Sequence, residues 1–243
     1  MIISIHVPKT AGTTFAQYLF KAFPDGVLRD YGPDTVEVSE LFSSSFENIT
    51  SIKQGGDFDV RLVSEGILKC KSLLSQRGIQ VIHGHFDINK YLGIFPEATY
   101  VVWLREPLER ALSHYHFYKR VLTSPPDPTN RLIYEGKLTF EQWMFLPDNI
   151  NFHHRLTGGD LSRFKFVGIA EEFDRCLSVF RQLAGLDQKD FDFDTPPENV
   201  NPEKLIDESY EVDHKIKSRF IELNRPDMAL YRDAVKRWSM IEN

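Results

Sequence analysis

The sequence predicts an α/β fold with a central parallel sheet flanked by helices, and three observations carry that expectation. Short β-rich runs alternate with helical patterns along the chain, the order that a parallel sheet covered on both faces produces. No internal repeat interrupts the alternation. The 243 residues, 42% hydrophobic and 26% charged, suit one globular domain spanning 1–243 with a mostly helical C-terminal part.

Strands are expected at 2–6, 27–30, 79–84, 100–104 and 164–169, and helices at 13–23, 62–77, 107–122, 139–146, 171–184 and 210–235. The last helix should break at Pro226, which lacks an amide donor. The stretch 123–130 holds Pro125, Pro126 and Pro128 and reads as a loop or lid, because each proline also restricts its predecessor. A second long connection is expected at 192–203, around Pro196, Pro197 and Pro202.

Composition narrows the partners. A net charge of −6 argues against general adsorption to a nucleic acid polymer or an anionic membrane, while leaving room for a local basic cleft. Cys70 and Cys176 are far apart and lack metal-ligand spacing, so reduced thiols in a cytoplasm are expected. The first residues run straight into a motif without the pattern of a signal peptide, and no apolar run approaches the ~20 residues of a membrane span. A cytoplasmic location without membrane contact is the expectation; the oligomeric state is left open.

The first motif is HVPKTAGTTF, from His6 to Phe15. A strand that ends in such a loop and opens a helix gathers backbone amides, hydroxyls and one ammonium around a point suited to phosphate or sulfate. Gly12 would let the backbone approach the anion, Thr13 and Thr14 would cap the helix and donate hydroxyls, and Lys9 would add charge. An ordinary strand-turn-helix with a surface lysine is the alternative. A Walker A loop places its lysine after the glycine, whereas Lys9 precedes Gly12, so a nucleotide site without a bound metal is expected.

The second motif is VVWLREPLERALSHYHF. Arg105 emerges where an apolar strand ends, and Pro107 takes the first-turn position it favours. Ligands of open α/β sheets collect at the carboxyl ends of the strands, which would bring Arg105 and the Lys9 loop to one crevice. Ser113, two turns on, can offer a hydroxyl to an anion held by Arg105. Equally, Arg105 can bridge Glu106 or Glu109, with Ser113 a small packing residue.

The third motif is IHGHF. Spacing of two on a strand sends His83 and His85 to the same side, with Gly84 leaving room for a ligand. Histidine suits the removal of a proton from an attacking alcohol near neutrality. The pair can instead be structural, or part of a metal site with His114, His116, His153 or His154.

PKTAGTT together with REPLERALSHY resembles the 5′-phosphosulfate and 3′-phosphate signatures of sulfotransferases that use 3′-phosphoadenosine 5′-phosphosulfate (PAPS). The pattern is most similar to the heparan sulfate 2-O-sulfotransferase branch, and it extends to HGH, to the aromatic run 115–118 and to FVGIAEEFDRCLSVF. The resemblance implies a P-loop-like three-layer fold, with PAPS as sulfuryl donor, adenosine 3′,5′-bisphosphate (PAP) as product and no metal. It implies that Lys9, Thr10, Ala11, Gly12, Thr13 and Thr14 bind the 5′ side, and Arg105 and Ser113 the 3′-phosphate. His85 would be the general base assisted by His83, with Lys9 stabilising the leaving group of an in-line displacement. Related enzymes often carry serine at the position of Gly12 and aspartate at that of Glu106; a nucleotide-contacting loop near the C-terminal third would fall at 199–204.

The acceptor would be a hydroxyl compound, with a saccharide favoured and a tyrosine, lipid or small molecule open. Tyr115, His116, Phe117 and Tyr118 can stack on a sugar or fill a helix core. Arg61, Lys119, Arg120, Arg131 and Arg155 can meet its acidic groups. A nucleotide kinase or NTPase and a non-catalytic nucleotide-binding module are the competing functions, the first requiring a Walker lysine and a magnesium carboxylate.

Overall fold

A computed structural model of the chain describes residues 1–31, 60–121, 123–186 and 212–241. Strands β1 (Ile2–Ile5), β2 (Val27–Asp30), β3 (Val81–Gly84), β4 (Thr99–Leu104) and β5 (Phe166–Ile169) form one sheet in the order β2-β3-β1-β4-β5. Every pairing is parallel. The helices are α1 (Gly12–Ala22), α2 (Val60–Gln76), α3 (Asn89–Leu92), α4 (Pro107–Arg120), α5 (Pro128–Tyr134), α6 (Phe140–Met144), α7 (Phe152–Thr157), α8 (Phe173–Leu183), α9 (His214–Leu223) and α10 (Arg225–Ile241). The expected α/β architecture is therefore present.

Register and alternation explain how both faces are covered. Ser4, His83, Val101 and Phe166 stand in register on one face. There Phe15 of α1 packs edge-on to His83, and Phe180 of α8 meets both Phe15 and Phe166. Ile3, Ile82 and Tyr100 fall on the opposite face, where the Tyr100 hydroxyl donates to the Phe95 carbonyl. A second apolar cluster joins Leu112 and Tyr115 of α4 to Ile133, Trp143 and Phe220.

Local chemistry sets the helix ends. Glu106 caps α4 by accepting from the Glu109 amide, with Pro107 at the first position, and Thr139 with Gln142 builds a capping box at α6. The stretch 123–130 does not stay a loop or lid throughout. Asp127 accepts from the Asn130 amide at 2.8 Å and Pro128 opens α5, while Arg131 donates to the Pro125 and Pro126 carbonyls. The C-terminal break falls at Asn224, one residue before the expected proline's own helix begins. The Asn224 side chain accepts from the Asn151 amide and donates to the Phe220 carbonyl, and Pro226 sits in the first turn of α10, where no amide donor is needed. The stretches 192–203 and 199–204, and the Arg61 side chain, lie outside the described residues.

Candidate active site

Strand order places the site. From β1 the chain builds β2 and β3 to one side and β4 and β5 to the other, so the side on which strands are added switches between β1 and β4. Such a switch opens a crevice at the carboxyl ends of the strands. The residues that follow β1, β3 and β4 are His6 with the Lys9 loop, His85, and Arg105. All three sequence motifs therefore reach one edge of the sheet.

The loop after β1 is held in an uncommon shape. Lys9 and Ala11 adopt left-handed backbone angles, φ 70° and 62°, a conformation that costs a side-chain-bearing residue about 1 kcal/mol or more. Ala11 is the N-cap of α1, and its carbonyl accepts the first intrahelical bond from the Phe15 amide at 3.0 Å. The amides of Gly12, Thr13 and Thr14 precede that bond and lie at the positive end of the helix dipole. The expectation that Thr13 and Thr14 cap the helix through their hydroxyls fails, because the cap position falls on alanine and no side chain caps it. Thr14 is buried and Thr13 half-buried. Thr10 is fully buried and donates its hydroxyl to the Val7 carbonyl at 2.8 Å, so its side chain closes the turn.

Gly12 is required by a protein neighbour as well. A β-carbon there would lie 2.0 Å from Cδ2 of His6, whose ring is itself wedged among His83, His85 and Tyr31. The glycine makes room for an imidazole. Gly84 likewise yields to protein, since a β-carbon would meet the Asp30 carbonyl oxygen at 1.7 Å. The space expected there for a ligand is filled by the β2 backbone, and the Asp30 carbonyl also accepts from the His85 amide at 2.8 Å.

Cations gather over the loop. The Lys9 ammonium sits 4.4 Å from the centre of the Phe117 ring, and the Arg105 guanidinium reaches the Lys9 carbonyl at 3.4 Å. Burial, with repulsion from Arg120 and Arg105, pushes the Lys9 ammonium down to about 8. Arg105 also stands 3.7 Å from the Glu109 carboxylate, the local acidic partner that its alternative reading names. Ser113 lies one turn beyond Glu109 on the same face of α4 and is half-buried.

Imidazoles occupy the other side of the crevice. His6 stacks on His83 with ring centres 5.1 Å apart, meets His85 edge-on at 4.6 Å, and contacts the Tyr31 hydroxyl through Nδ1 at 3.2 Å. Tyr31 packs against both His83 and His85. His83 is 1% exposed and its Nδ1 lies 2.8 Å from the Ser4 hydroxyl, so it anchors the group from within. His85 stands just beyond the end of β3, open to solvent on one side while its ring is packed against His6 and Tyr31. Burial, then repulsion by His85, lowers His83 to about 3. Desolvation lowers His85 to about 4, opposed by the Asp30 carboxylate. Lys90 and the Tyr91 hydroxyl hold that carboxylate at 2.5 and 2.8 Å.

The aromatic run divides. Tyr115 is core, 7% exposed, with its hydroxyl donating to the Leu138 carbonyl, whereas Phe117 faces Lys9. Among the basic candidates, Arg120 lies near enough to Lys9 to repel its charge. Arg131 is bound to loop carbonyls, and Arg155 pairs with Asp148 and covers Phe152. Among the described residues, no group of three or more His, Cys, Asp or Glu side chains is placed to hold a metal ion.

Sequence reasoning passes over His6 and Tyr31 as site residues. His6 opens the first motif, and only the adjacency of β1 to β3 turns it toward the HGH segment.

No protein-family model matches the chain, and no curated protein sequence does. Among solved structures it is similar to a sulfotransferase from Alicyclobacillus acidocaldarius, with 15% identity, coverage of 94% of this chain and 92% of that one, and a TM-score of 0.44. It is also similar to mouse sulfotransferase SULT7A1 complexed with PAP, with 15% identity, coverage of 91% of this chain and 62% of that one, and a TM-score of 0.39.

Proposed function

We propose that the chain is a PAPS-dependent sulfotransferase that acts on an acceptor hydroxyl, with a saccharide as the favoured acceptor and His85 as general base. The observation that carries this reading is the meeting, at one sheet edge, of a cation group built from Lys9, Arg105 and Arg120 with histidines kept neutral beside it. Such an edge fits a nucleotide that is anionic at both its 3′ and 5′ ends on one side and a hydroxyl to be deprotonated on the other.

The strained loop and the amides of residues 12–14 suit the 5′ end of the nucleotide, and Arg105 with Ser113 suits the 3′-phosphate. PAPS supplies an activated sulfuryl group, whose bond to the bridging oxygen breaks as the acceptor oxygen bonds to sulfur and PAP leaves. His85 takes the proton of the acceptor hydroxyl, and His83, held by Ser4, fixes its neighbours in place. Lys9 meets the negative charge that grows on the departing oxygen. Phe117 and the half-buried Tyr118 offer apolar faces to a sugar ring near that ammonium. The same reading has one domain working in the cytoplasm without a metal.

Incubation with labelled PAPS and a panel of glycans, phenols and alcohols should yield a product heavier by one sulfate. His85→Ala should retain PAP binding while transfer falls ~100-fold or more. Wild-type transfer should rise with pH below neutrality, with a midpoint under the ordinary histidine value of about 6.5, because His85 is held low. Turnover of ATP with magnesium in place of PAPS would replace the reading with phosphoryl transfer. PAP binding without transfer to any acceptor would leave a binding module.

A further inference from the structure

His114 enters the motif readings only as a possible metal ligand, and its position joins it to the cleft, where Lys9 and His85 act on its charge. It stands one turn beyond Arg110 on α4 and one turn before Phe117 and Tyr118, so it shares a helix face with the aromatic ring that carries the Lys9 ammonium. Its ring is clamped by Tyr118 at 5.3 Å, Trp143 at 5.5 Å and Phe152 at 6.3 Å between ring centres.

Arg110 decides which nitrogen carries the proton. The guanidinium is 1% exposed, lies 4.5 Å from the Phe152 ring centre, and reaches Nδ1 of His114 at 3.4 Å. A guanidinium has five donors and no acceptor, so Nδ1 must accept and the proton of the neutral ring must sit on Nε2. Protonation of the second nitrogen is opposed first by burial and then by Arg110, Lys9 and His85, which together hold His114 at about 3. The acidic group near this set is Asp227 on α10, which favours the charge of Arg110 while accepting from the amides of His153 and His154. His153, on α7, is itself held neutral by burial and by Arg110.

We infer that His114 offers its Nε2–H as a neutral hydrogen-bond donor to an anionic oxygen held beside Lys9, which on the reading above is an oxygen of the transferring sulfuryl group. The role differs in kind from that of His85. A base must lose and regain a proton across the working pH range, whereas this imidazole keeps one proton on Nε2 and a lone pair committed to Arg110. It adds a neutral, directed donor to the site without adding another cation to a crowded group. The inference rests on the proposed function for the identity of the oxygen but not for the tautomer.

Nitrogen-detected NMR of the histidine side chains tests the tautomer directly, with the His114 signal assigned by its loss in His114→Gln. The expected result is a protonated Nε2, no titration between pH 5 and 8, and a shift of that signal when inorganic sulfate is added. A proton on Nδ1, or titration near the ordinary value of about 6.5, would overturn the inference whatever the enzyme's activity. In turnover, His114→Phe should lose about ten- to hundred-fold in kcat with PAP affinity held within a few-fold, and His114→Gln, which restores an N–H donor, should recover part of the loss. Wild-type kcat in His114→Phe would also overturn it. Wild type that transfers nothing from PAPS, with the NMR result as expected, would instead sink the sulfotransferase reading and leave the donor standing as a sulfate contact.

Discussion

The two sides of the crevice treat charge in opposite ways. At the Lys9 loop, burial and then the nearby Arg120 and Arg105 depress the lysine, and the carboxylate of Glu109 stands off at 3.7 Å from Arg105. Beside it, His6, His83 and His85 pack ring on ring and shed charge. One side is charged, with Glu109 its loose acidic neighbour; the other is neutral and resists acquiring a charge. An anion relieves the first side and leaves the second free to accept a proton from a neutral hydroxyl. The contrast separates binding from proton transfer within one short sheet edge.

The sharpest way to break the contrast is on the cationic side. Lys9→Ala should lower kcat by ~100- to 1,000-fold, the effect of removing one donor worth about 3 to 4 kcal/mol at a developing charge, while PAP affinity falls much less. Steady-state kinetics with calorimetry separates the two, and unchanged turnover would remove Lys9 from the chemistry. Arg105→Ala tests the same side through binding alone. Wild type should prefer PAP to AMP by about ten- to hundred-fold, from a charge-assisted contact worth about 1.5 to 3 kcal/mol, and the variant should lose most of that preference. Equal affinity of wild type for the two nucleotides would reject the assignment.

The neutral side is tested by acid. A histidine whose folded pKa lies below its unfolded value of about 6.5 binds fewer protons when folded, so stability is lost as pH falls through that value. For His83 the loss runs from about 6.5 down to about 3 and has a slope of up to about 1.4 kcal/mol per pH unit. Urea denaturation between pH 7 and 5 should show the slope, and His83→Gln should reduce it while the other buried histidines keep the remainder. An identical slope in that variant would mean that His83 is not held neutral.

Much of this edge is legible in the sequence, because its strands are short apolar runs with motif residues at their carboxyl ends. Ile2–Ile5, Val81–Gly84 and Thr99–Leu104 fall within two residues of the expected bounds, and they carry Lys9, His85 and Arg105 to one place. The helices α3, α5 and α7 have four, seven and six residues, too few turns for a periodic pattern to stand out from loop sequence. His6 and Tyr31 escape notice for another reason. Nothing local in their neighbourhoods says that β1 and β2 both lie against β3, and that pairing brings their side chains to His83. The C-terminal helix break shows the same limit, since Asn224 acts through Asn151, which is 73 positions away.

The contact between His6 and the bare α-carbon of Gly12 constrains how this sequence can change. Serine, common at this position in the enzymes that the loop resembles, cannot enter while an imidazole fills the space of its β-carbon. A smaller residue at position 6 would make that room, and it would take away the ring on which His83 and His85 lean. The two positions are therefore coupled: any side chain at position 12 requires the His6 imidazole to move or to be replaced, and with it the contacts His6 makes to His83 and His85.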